Sequence, residues 1–496
     1  DFILSLDENN TKVYYPLLKD GGIIISESEI FANGIKIPFQ KIAQELTGEK
    51  IYSNSVAVGA VCGILGIDIK ILEKIFSVQF ATKGEDVVNK NIVVVKYAVE
   101  LISQNKQLKI DKIKKLSQTD KILVTGNEAI SLGAIGAGCK FMSAYPMTPS
   151  TGVITYLSET SPKTGILTEQ AEDEISAINM ALGASYAGVR SLTATSGGGF
   201  CLMVEGLSLA AITEVPIVII LGQRPGPATG LPTRTEQGEL NFALNAGHGE
   251  FPRFVFAPSD AESAFYTIIK AFDLSQKYRV PSIILTDQYL ADSYWTIDNL
   301  DTEKIVIKDY FLTEKDIDND FKTYKLTDTG VSPRLKPGET KNLVIVDSDE
   351  HDERGNLTED NNIRKLMVEK RWKKFSLMEQ EIEFPKIEWF DDTEIVLISW
   401  GSNKGVVSKV GRMLKEIGLK VATVNYTELF PLKISEQLLY FKGKKIVIEN
   451  NFTGQFASLL EKSGLKIDHK ILKYNGLPFS EEELFIEVKK FYDRNF

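Results

Sequence analysis

The segment YPMTPST, residues 145–151, places three hydroxyl groups in a stretch that its two prolines make stiff. Proline fixes its own φ angle and restricts the backbone of the residue before it. A stiff loop of this kind presents the hydroxyls of Thr148, Ser150 and Thr151 to a ligand. A rigid turn that caps a helix beginning near Gly152 explains the same residues equally well.

Four carboxylates lie close together in the segment TEQAEDE, residues 168–174. We predict that they stand at the start of an apolar helix, where the helix dipole favours acidic side chains. That explanation suits Glu169, Glu172 and Asp173. Glu174 leads into the buried part of the helix, where a carboxylate needs a cation or a hydrogen-bonding partner. For Glu174, ligand binding and a helix-end role are two equally good interpretations.

Three consecutive glycines, Gly197, Gly198 and Gly199, occupy a predicted loop between a strand and a helix. Glycine lets the backbone approach a ligand closely, and a glycine-rich turn before a helix is typical of phosphate sites. The sequence contains neither of the glycine-rich nucleotide motifs GxGxxG and GxxxxGK[ST]. The pattern alone therefore slightly favours a permissive turn without a ligand.

Arg224 follows an apolar strand-like run and opens a proline-stiffened stretch, residues 222–233. An arginine just beyond a buried parallel strand is well placed to hold a carboxylate with two hydrogen bonds. The alternative is an arginine paired with a neighbouring carboxylate where two domains meet. We favour the carboxylate-binding interpretation.

Histidines and cysteines are too few and too scattered for other site types. No Ser/His/Asp set or metal set is visible, and no CxxC pair that would hold zinc or an iron–sulfur cluster. Unpaired thiols are typical of a reducing cytoplasm. His351 lies in an acidic run and is expected to be solvated. The residues concerned are His248, His351, His469, Cys62, Cys139 and Cys201.

The bulk properties describe a globular protein of 496 residues, long enough for about three domains. Apolar residues make up 43% and charged residues 25%, which argues against a disordered chain. The net charge is −10 and no basic block is present, so a nucleic-acid partner is not expected. The longest apolar runs have the length of a strand, so no membrane span is expected.

The elements that position these residues lie between residues 119 and 300, where apolar strands alternate with helices. Apolar strands separated by helices indicate a parallel sheet covered on both faces. Ligands of such sheets bind at the carboxyl ends of the strands, where all four segments are expected. The predicted strands are Ile122–Thr125, Lys140–Tyr145, Val189–Thr195, Pro216–Leu221, Phe254–Ala257 and Pro281–Thr286.

The remaining chain divides into three further parts. Residues 1–118 are predicted to hold a strand at Gly22–Ser26, helices and a polar linker at Lys106–Asp120; because the chain begins at Asp1, we expect its true N-terminal part to be missing. Residues 301–390 are interpreted as a connector with one strand at Asn342–Val346. Residues 391–496 return to the α/β pattern and predict a second, smaller parallel sheet.

These segments together resemble the alpha subunit of the 2-oxoacid:ferredoxin oxidoreductases. YPMTPST is similar to that family's YPITPS signature, with Met147 in the isoleucine position. TEQAEDEISAINMALGASYAG, TATSGGGFCLM and QRPGPATGLPTRTEQ agree with the family in order and spacing, and GHGEFPR and ENNFTGQ extend the resemblance to the C-terminal domain. Residues 1–115 resemble the end of the family's gamma subunit, fused in front.

The resemblance implies thiamine diphosphate as cofactor and a role for each segment. Glu174 matches the glutamate that hydrogen-bonds N1′ of the cofactor pyrimidine and so acts in catalysis. Thr148 and Arg224 match residues that hold the substrate carboxylate, and Thr233 resembles a further recognition position. Gly197, Gly198 and Gly199 would line the pyrimidine. The remaining residues of the signature loop are Tyr145, Pro146, Met147 and Pro149.

The implied active site is shared with a second chain. The family holds the diphosphate and Mg²⁺ with a GDG…N stretch, and the sequence contains no GDG. The resemblance places that stretch and a [4Fe–4S] cluster on a beta subunit, giving at least a heterodimer. The implied reaction converts a 2-oxoacid such as pyruvate and coenzyme A to an acyl-CoA, carbon dioxide and reduced ferredoxin. The implied fold is a multi-domain α/β protein with thiamine-enzyme sheets and a transketolase-like C-terminal domain.

Three alternatives accompany this interpretation. A transketolase-type or 2-oxoacid-dehydrogenase-type subunit would share the pyrimidine-side glutamate but not use ferredoxin. A non-catalytic scaffold subunit would keep the fold alone. The N-terminal segment is, in the third alternative, a separate binding module rather than a gamma-type domain.

Overall fold

A computed structural model of the protein describes residues 2–27, 34–104, 120–303, 305–317 and 320–496. The chain forms two compact units, residues 1–119 and residues 120–496. The predicted linker at residues 106–120 lies, except for Asp120, outside the described residues. No helix in the described part of the chain is long and apolar enough to cross a membrane.

In the part that the structure describes, the N-terminal unit contains a small parallel sheet and five α-helices. Helix packing explains the small residues of its third helix: a Cβ atom added at Gly59 would lie 2.7 Å from the carbonyl oxygen of Val95 on the fifth helix. The helical stretch after residue 68 consists of two separate helices, divided near Gly84. The elements are β1 (Phe2–Ser5), α1 (Glu8–Tyr14), β2 (Ile23–Ser26), β3 (Gly34–Lys36), α2 (Phe39–Thr47), α3 (Ser53–Leu65), α4 (Ile69–Gln79) and α5 (Glu85–Ser103).

The second unit begins with strands that alternate with helices, as predicted. Strands β7, β8 and β10 are buried along their whole length, which is why their sequences are apolar or small without alternation. The elements are β4 (Lys121–Thr125), α6 (Gly126–Gly136), β5 (Phe141–Ala144), α7 (Thr151–Thr164), β6 (Leu167–Gln170), α8 (Glu174–Tyr186), β7 (Ser191–Ser196), α9 (Gly197–Ile212), β8 (Ile217–Gln223), α10 (Leu240–Asn245), β9 (Phe254–Phe256), α11 (Ala261–Tyr278), β10 (Pro281–Asp287), α12 (Gln288–Asp292) and β11 (Tyr294–Asp298).

A connector and a second sheet complete this unit. The connector is largely irregular before its two helices, and the predicted strand at Asn342–Val346 is wrong because that segment has no strand pairing in the structure. The elements are α13 (Asn361–Lys373), α14 (Phe375–Glu381), β12 (Ile387–Glu388), β13 (Ile395–Trp400), α15 (Lys404–Glu416), β14 (Val421–Tyr426), β15 (Glu428–Phe430), α16 (Glu436–Tyr440), β16 (Lys444–Glu449), α17 (Gln455–Lys462), β17 (His469–Leu472) and α18 (Glu481–Asn495).

The two large sheets have a mostly parallel order, which confirms the predicted α/β class. The first sheet runs β15-β9-β10-β8-β7-β5-β6, with only β15 antiparallel. The second runs β12-β14-β13-β16-β17, with only β12 antiparallel. Strand β8 shows how helices cover both faces of the first sheet: Ile219 packs with Phe200 of α9, whereas Ile220 packs with Ile268 of α11.

Two strand assignments from the sequence are corrected by the structure. Residues 122–125 do not join the parallel sheet, because β4 pairs antiparallel with β11, and Leu123 is 63% exposed there. Residues 168–170 were expected at the start of a helix. Residues 167–170 instead form the edge strand β6 beside β5. The polar side chains of β6 are tolerated because an edge strand faces solvent.

The order of the first sheet creates a crevice beside β5. Helix α7 leads from β5 outward to β6, whereas α9 leads from β7 in the opposite direction to β8. Crossover helices that diverge from neighbouring strands leave an opening at the carboxyl ends of those strands. The opening between β5 and β7 is therefore the expected place for a ligand of this sheet.

His351 of the connector is buried, so the expectation that it is solvated is wrong. Its ring stacks on Tyr324 with 3.8 Å between ring centres, and its Nδ1 lies 3.0 Å from the carbonyl oxygen of Asp349. The acidic run folds over this pair because Arg371 binds Glu350 with two hydrogen bonds, of 3.0 and 2.8 Å.

Candidate active site

The signature loop after β5 is held rigidly by its neighbours. Asn127 donates a hydrogen bond of 3.0 Å from its side-chain amide to the carbonyl oxygen of Pro149. A Cβ atom added at Gly222 on β8 would lie 3.0 Å from the ring of Pro149, so only glycine lets the loop pack this closely. Ser150 donates to the carbonyl oxygen of Met147 over 2.8 Å. The side chain of Ser150 therefore serves the loop itself.

Arg224 follows β8 directly and reaches the same loop. Its side chain is 8% exposed, and Nη1 donates a hydrogen bond of 2.7 Å to the carbonyl oxygen of Thr148. A guanidinium has five N–H donors, so this bond leaves most of them for a ligand. Among the residues that the structure describes, no carboxylate forms an ion pair with Arg224. The alternative of an arginine neutralised where domains meet has no support here.

Glu174 is the first residue of α8 and is 3% exposed. Asp173 caps that helix, accepting a hydrogen bond of 2.7 Å from the backbone N–H of Ser176. The predicted group of four acids is thus separated: Glu169 lies on β6 and Glu172 in the connection. The Oε1 atom of Glu174 is buried and finds no hydrogen-bond partner within the described chain. An unpartnered buried carboxylate oxygen is a candidate ligand-binding atom.

The glycine run forms the first turn of α9, immediately after β7, and not the predicted loop. A Cβ atom added at Gly199 would lie 2.1 Å from Oγ1 of Thr195 and 2.4 Å from Oε1 of Glu174. At Gly198 the nearest atom would be 4.0 Å away, the carbonyl oxygen of Ala228. Gly199 therefore makes room for the carboxylate, whereas Gly198 leaves open space beside it.

Other predicted residues have looser surroundings. Thr148 and Met147 are half-buried, and Sδ of Met147 lies 4.0 Å from Oγ1 of Thr195. Tyr145 is 41% exposed. Thr233 is exposed on the long loop after β8, and no hydrogen bond of the described residues brings its side chain to Arg224 or Thr148. The structure thus brings Thr148, Arg224 and the loop together but leaves Thr233 outside this group.

The structure adds two residues that sequence reasoning missed, Gln223 and Glu239. Gln223 is fully buried at the end of β8, and its Oε1 accepts a hydrogen bond of 3.1 Å from the backbone N–H of Glu239. A Cβ atom added at Gly197 would lie 2.7 Å from Oε1 of Glu239. Burial and the neighbouring Glu236 raise the pKa of Glu239 to about 8, against the opposing effect of Arg224. A single glutamate in a polar loop gives no sequence signal.

The site fits the pyrimidine of thiamine diphosphate better than it fits a metal. Glu174 offers a buried acceptor at the crevice, and a Cβ atom added at Gly198 would meet no atom closer than 4.0 Å, which leaves room beside the first turn of α9. In the described ranges, no cluster of three or more His, Cys, Asp or Glu side chains is arranged to hold a metal ion. The residues present therefore suit the organic end of the cofactor.

Family models match most of the chain. Residues 132–370 match the model described as "Pyruvate flavodoxin/ferredoxin oxidoreductase, thiamine diP-bdg". Residues 1–101 match the model described as "Pyruvate ferredoxin/flavodoxin oxidoreductase". Both the sheet that carries the candidate site and the N-terminal unit thus have counterparts in one family of enzymes.

Curated relatives carry consistent names. The chain is 34% identical over 465 residues to 2-oxoacid:ferredoxin oxidoreductase 2, subunit alpha, of Aeropyrum pernix, covering 88% of this chain and 71% of that protein. It is 37% identical over 456 residues to the 2-oxoacid:ferredoxin oxidoreductase subunit alpha of Saccharolobus solfataricus, with the same coverage. Identity to the 2-oxoglutarate synthase subunit KorA of Methanocaldococcus jannaschii is 33% over 369 residues, covering 72% of this chain and 96% of that protein.

A solved structure agrees with the computed one. The 2-oxoglutarate:ferredoxin oxidoreductase of Magnetococcus marinus, solved with 2-oxoglutarate, coenzyme A and succinyl-CoA bound, superposes with a TM-score of 0.92 at 31% identity. The match covers 99% of this chain and 88% of that chain. The resemblance seen in the sequence is thereby confirmed: the chain belongs to the family of 2-oxoacid:ferredoxin oxidoreductase alpha subunits.

Proposed function

We propose that this chain binds the cofactor pyrimidine and the substrate in a 2-oxoacid:ferredoxin oxidoreductase. The complete enzyme would convert a 2-oxoacid and coenzyme A to an acyl-CoA and carbon dioxide, and pass the electrons to ferredoxin. The observation that carries this proposal is the buried, unpartnered Oε1 atom of Glu174, lying against Gly199 in the crevice of the sheet. When bound, thiamine diphosphate supplies the electron sink for decarboxylation.

Glu174 is the proposed catalytic residue. Its carboxyl group would hydrogen-bond the pyrimidine ring nitrogen and hold a proton there, which keeps the ring in the tautomer that acts as a base. The carboxyl group is 3% exposed and lies against Gly199, so few water molecules would compete for this contact. Gly197, Gly198 and Gly199 would form the wall beside the ring.

Thr148 and Arg224 are the proposed substrate-binding residues. The bond between them keeps the guanidinium at the mouth of the crevice, with N–H groups left for the carboxylate of a 2-oxoacid. The rest of the signature loop, from Tyr145 to Pro149, would fix the orientation of Thr148. Thr233 remains a proposed recognition residue, reached by movement of its exposed loop.

We further propose that activity requires a beta subunit. Such a partner would hold the diphosphate with Mg²⁺ and carry a [4Fe–4S] cluster, since the sequence has no GDG stretch and its three cysteines lie far apart. Residues 1–118 would be a gamma-subunit-like domain and residues 391–496 a transketolase-like C-terminal domain. The three free thiols suit a reducing cytoplasm. The names of the relatives favour this proposal over a thiamine enzyme that does not use ferredoxin.

The test is dye reduction by the complex of this chain with its beta partner, under anaerobic conditions. A viologen would be followed after addition of pyruvate or 2-oxoglutarate, with and without coenzyme A. Reduction that depends on both the oxoacid and coenzyme A supports the proposal. A complex that holds thiamine diphosphate and its cluster, yet reduces no dye with any oxoacid, contradicts it.

A further inference from the structure

Glu239 lies beside the proposed substrate site but has no role in the function described so far. Its backbone is held by Gln223, and its Oε1 atom lies against Gly197, two residues from the glycine that contacts Glu174. The first turn of α9 therefore has one carboxyl group on each side. Glu174 occupies the side of Gly199, and Glu239 occupies the side of Gly197.

The polar atoms around Glu239 are unusually short of partners. Oε2 of Glu239, Nε2 of Gln223 and Oγ of Ser196 are all buried, and none has a hydrogen-bond partner in the described ranges of the chain. Ser196 and Gln223 are fully buried at the carboxyl ends of the adjacent strands β7 and β8. A native protein leaves such atoms unpaired where a ligand satisfies them. Three of them at one strand edge point to a bound polar molecule.

Charge identifies the kind of molecule. The charged groups that act on Glu239 are Arg224 and Glu236 from its own loop, and Glu174 faces the other end of the same helical turn. Arg224 attracts a carboxylate into this space, whereas an ionised Glu239 would repel one. A protonated carboxyl group has an O–H and donates a hydrogen bond to the same carboxylate.

We propose that Glu239 is a substrate-positioning residue that, in its neutral form, donates a hydrogen bond to the carboxylate of the 2-oxoacid held by Arg224. This inference rests on the proposed function and adds a residue whose own charge affects how well the substrate carboxylate binds. The raised pKa of Glu239, caused first by burial and then by Glu236, agrees with a neutral side chain at neutral pH. Ionisation above about pH 8 would then weaken substrate binding.

The first measurement is the pH dependence of kcat/KM for the 2-oxoacid, in the complex with the beta subunit. For the unmodified enzyme we expect kcat/KM to fall above about pH 8. Glu239→Gln keeps a donor that cannot ionise, so the alkaline fall should disappear while KM at neutral pH changes less than about threefold. Glu239→Ala removes the donor and should raise KM about three- to tenfold at neutral pH. An alkaline fall that is unchanged in Glu239→Gln overturns the inference.

Two further variants test the electrostatic reasoning. Glu236→Gln removes the like charge that raises the pKa of Glu239, so the alkaline fall should begin at a lower pH. Glu416→Gln, on the exposed end of α15, removes one carboxylate elsewhere and should leave the profile unchanged. A shift in Glu416→Gln as large as in Glu236→Gln would assign the effect to net charge and overturn the inference.

Binding without turnover separates this inference from the proposed reaction. Oxamate and N-oxalylglycine have the shapes of pyruvate and 2-oxoglutarate but cannot be decarboxylated. Calorimetric titration should show that the analogue matching the preferred substrate binds more weakly as Glu239 ionises, and that Glu239→Gln abolishes this dependence. An inactive complex that still shows this dependence contradicts the reaction and supports the positioning role. Binding that is independent of pH, in an active complex, contradicts the positioning role alone.

Discussion

The guanidinium of Arg224 donates a hydrogen bond of 2.7 Å to the backbone carbonyl of Thr148. The two residues are 76 positions apart in the chain, and they meet because β5 and β8 belong to one parallel sheet and end at the same edge. The bond uses a backbone acceptor, so it fixes the position of the arginine without neutralising its charge. A buried cation held in this way is available to an anionic substrate.

Arg224→Lys should raise KM for the 2-oxoacid while leaving cofactor affinity unchanged. A lysine keeps the positive charge but lacks the planar fork that can bind Thr148 and a carboxylate together. Loss of a charge-assisted hydrogen bond predicts a rise in KM of about tenfold to a hundredfold. Steady-state dye reduction measures KM, and Arg412→Lys on the exposed face of α15 is the control. An unchanged KM would remove Arg224 from the substrate site.

Glu174→Gln should bind the cofactor but turn over slowly. The amide preserves the size of the buried side chain and loses the ability to hold and release a proton at the pyrimidine. Loss of one positioned acid–base group predicts a fall in kcat of about a hundredfold to ten-thousandfold. Glu172→Gln changes an exposed carboxylate two residues earlier and should have the kcat of the unmodified enzyme. Normal turnover by Glu174→Gln would contradict the catalytic assignment.

Gly199→Ala should abolish cofactor binding, whereas Gly183→Ala should not. The methyl group at position 199 would lie 2.4 Å from Oε1 of Glu174 and 2.1 Å from Oγ1 of Thr195, so the carboxylate must move. A methyl group at position 183, on the exposed side of α8, would meet no atom within 4 Å. Helix propensity favours both changes by about 0.5–1 kcal/mol, so the steric clash alone separates them, and the unfolding temperature of each variant shows whether it still folds.

Thiamine diphosphate content of the purified complex separates the two alanine variants. Thiamine released by acid can be oxidised to a fluorescent product and counted per complex. We expect near-full content in Gly183→Ala and little in Gly199→Ala. Equal content in both variants would show that the contact between Gly199 and Glu174 does not matter for the cofactor.

The sequence predicted the buried strands well because burial imposes a simple pattern. The segments that form β8 and β10 are too apolar to face solvent, so their position in a sheet covered on both faces follows from their composition. The sequence did not predict β6, whose residues LTEQ are mostly polar because the strand forms an edge of the sheet. It also misplaced residues 122–125, since an apolar run carries no information about which strand it pairs with.

The residues of the candidate site also divide into those that the sequence singled out and those that it did not. Arg224, Thr148 and Glu174 stand in stretches of unusual composition, which is why they could be proposed as site residues from the sequence alone. Glu239 stands in an ordinary polar loop, and only the three-dimensional path of that loop brings its carboxyl group against Gly197. The burial of Glu214 could not be predicted from the sequence either, because its hydrogen-bond partners lie more than 150 positions later in the chain.

Glu214→Gln should destabilise the larger unit strongly. Glu214 is 1% exposed and accepts hydrogen bonds from Lys370, over 2.5 Å, and from Lys374, over 2.8 Å. Burial raises the pKa of Glu214, but Lys370, Lys374 and Arg279 outweigh it and hold the pKa well below its ordinary value. The variant leaves buried cations without their counter-charge, which costs about 3–5 kcal/mol. Calorimetry should show a clearly lower unfolding temperature at neutral pH.

The destabilisation in Glu214→Gln should shrink as the pH is raised. Burial already lowers the pKa of Lys370 to about 7 against the pull of Glu214, and losing Glu214 lowers it further. Lys370 is then neutral in the folded variant but protonated in the unfolded chain, where lysine titrates near about 10.4. Because the unfolded state binds more protons, the free energy of unfolding of the variant begins to rise at a lower pH than that of the unmodified protein, whose Lys370 has a pKa of about 7. The difference between the two proteins therefore shrinks as the pH rises toward about 7.

Unfolding temperatures measured at about pH 5.5 and at about pH 7 test this sign, because in this window Lys370 loses its proton on folding in the variant but keeps it in the unmodified protein. The gap between the unmodified protein and Glu214→Gln should be narrower at the higher pH, since Lys374 also loses its counter-charge in the variant. Glu369→Gln, in an exposed pair with Lys365 on α13, should unfold like the unmodified protein at both pH values. A gap that stays constant or widens with pH would mean that the two lysines remain charged in the folded variant, and that water reaches them.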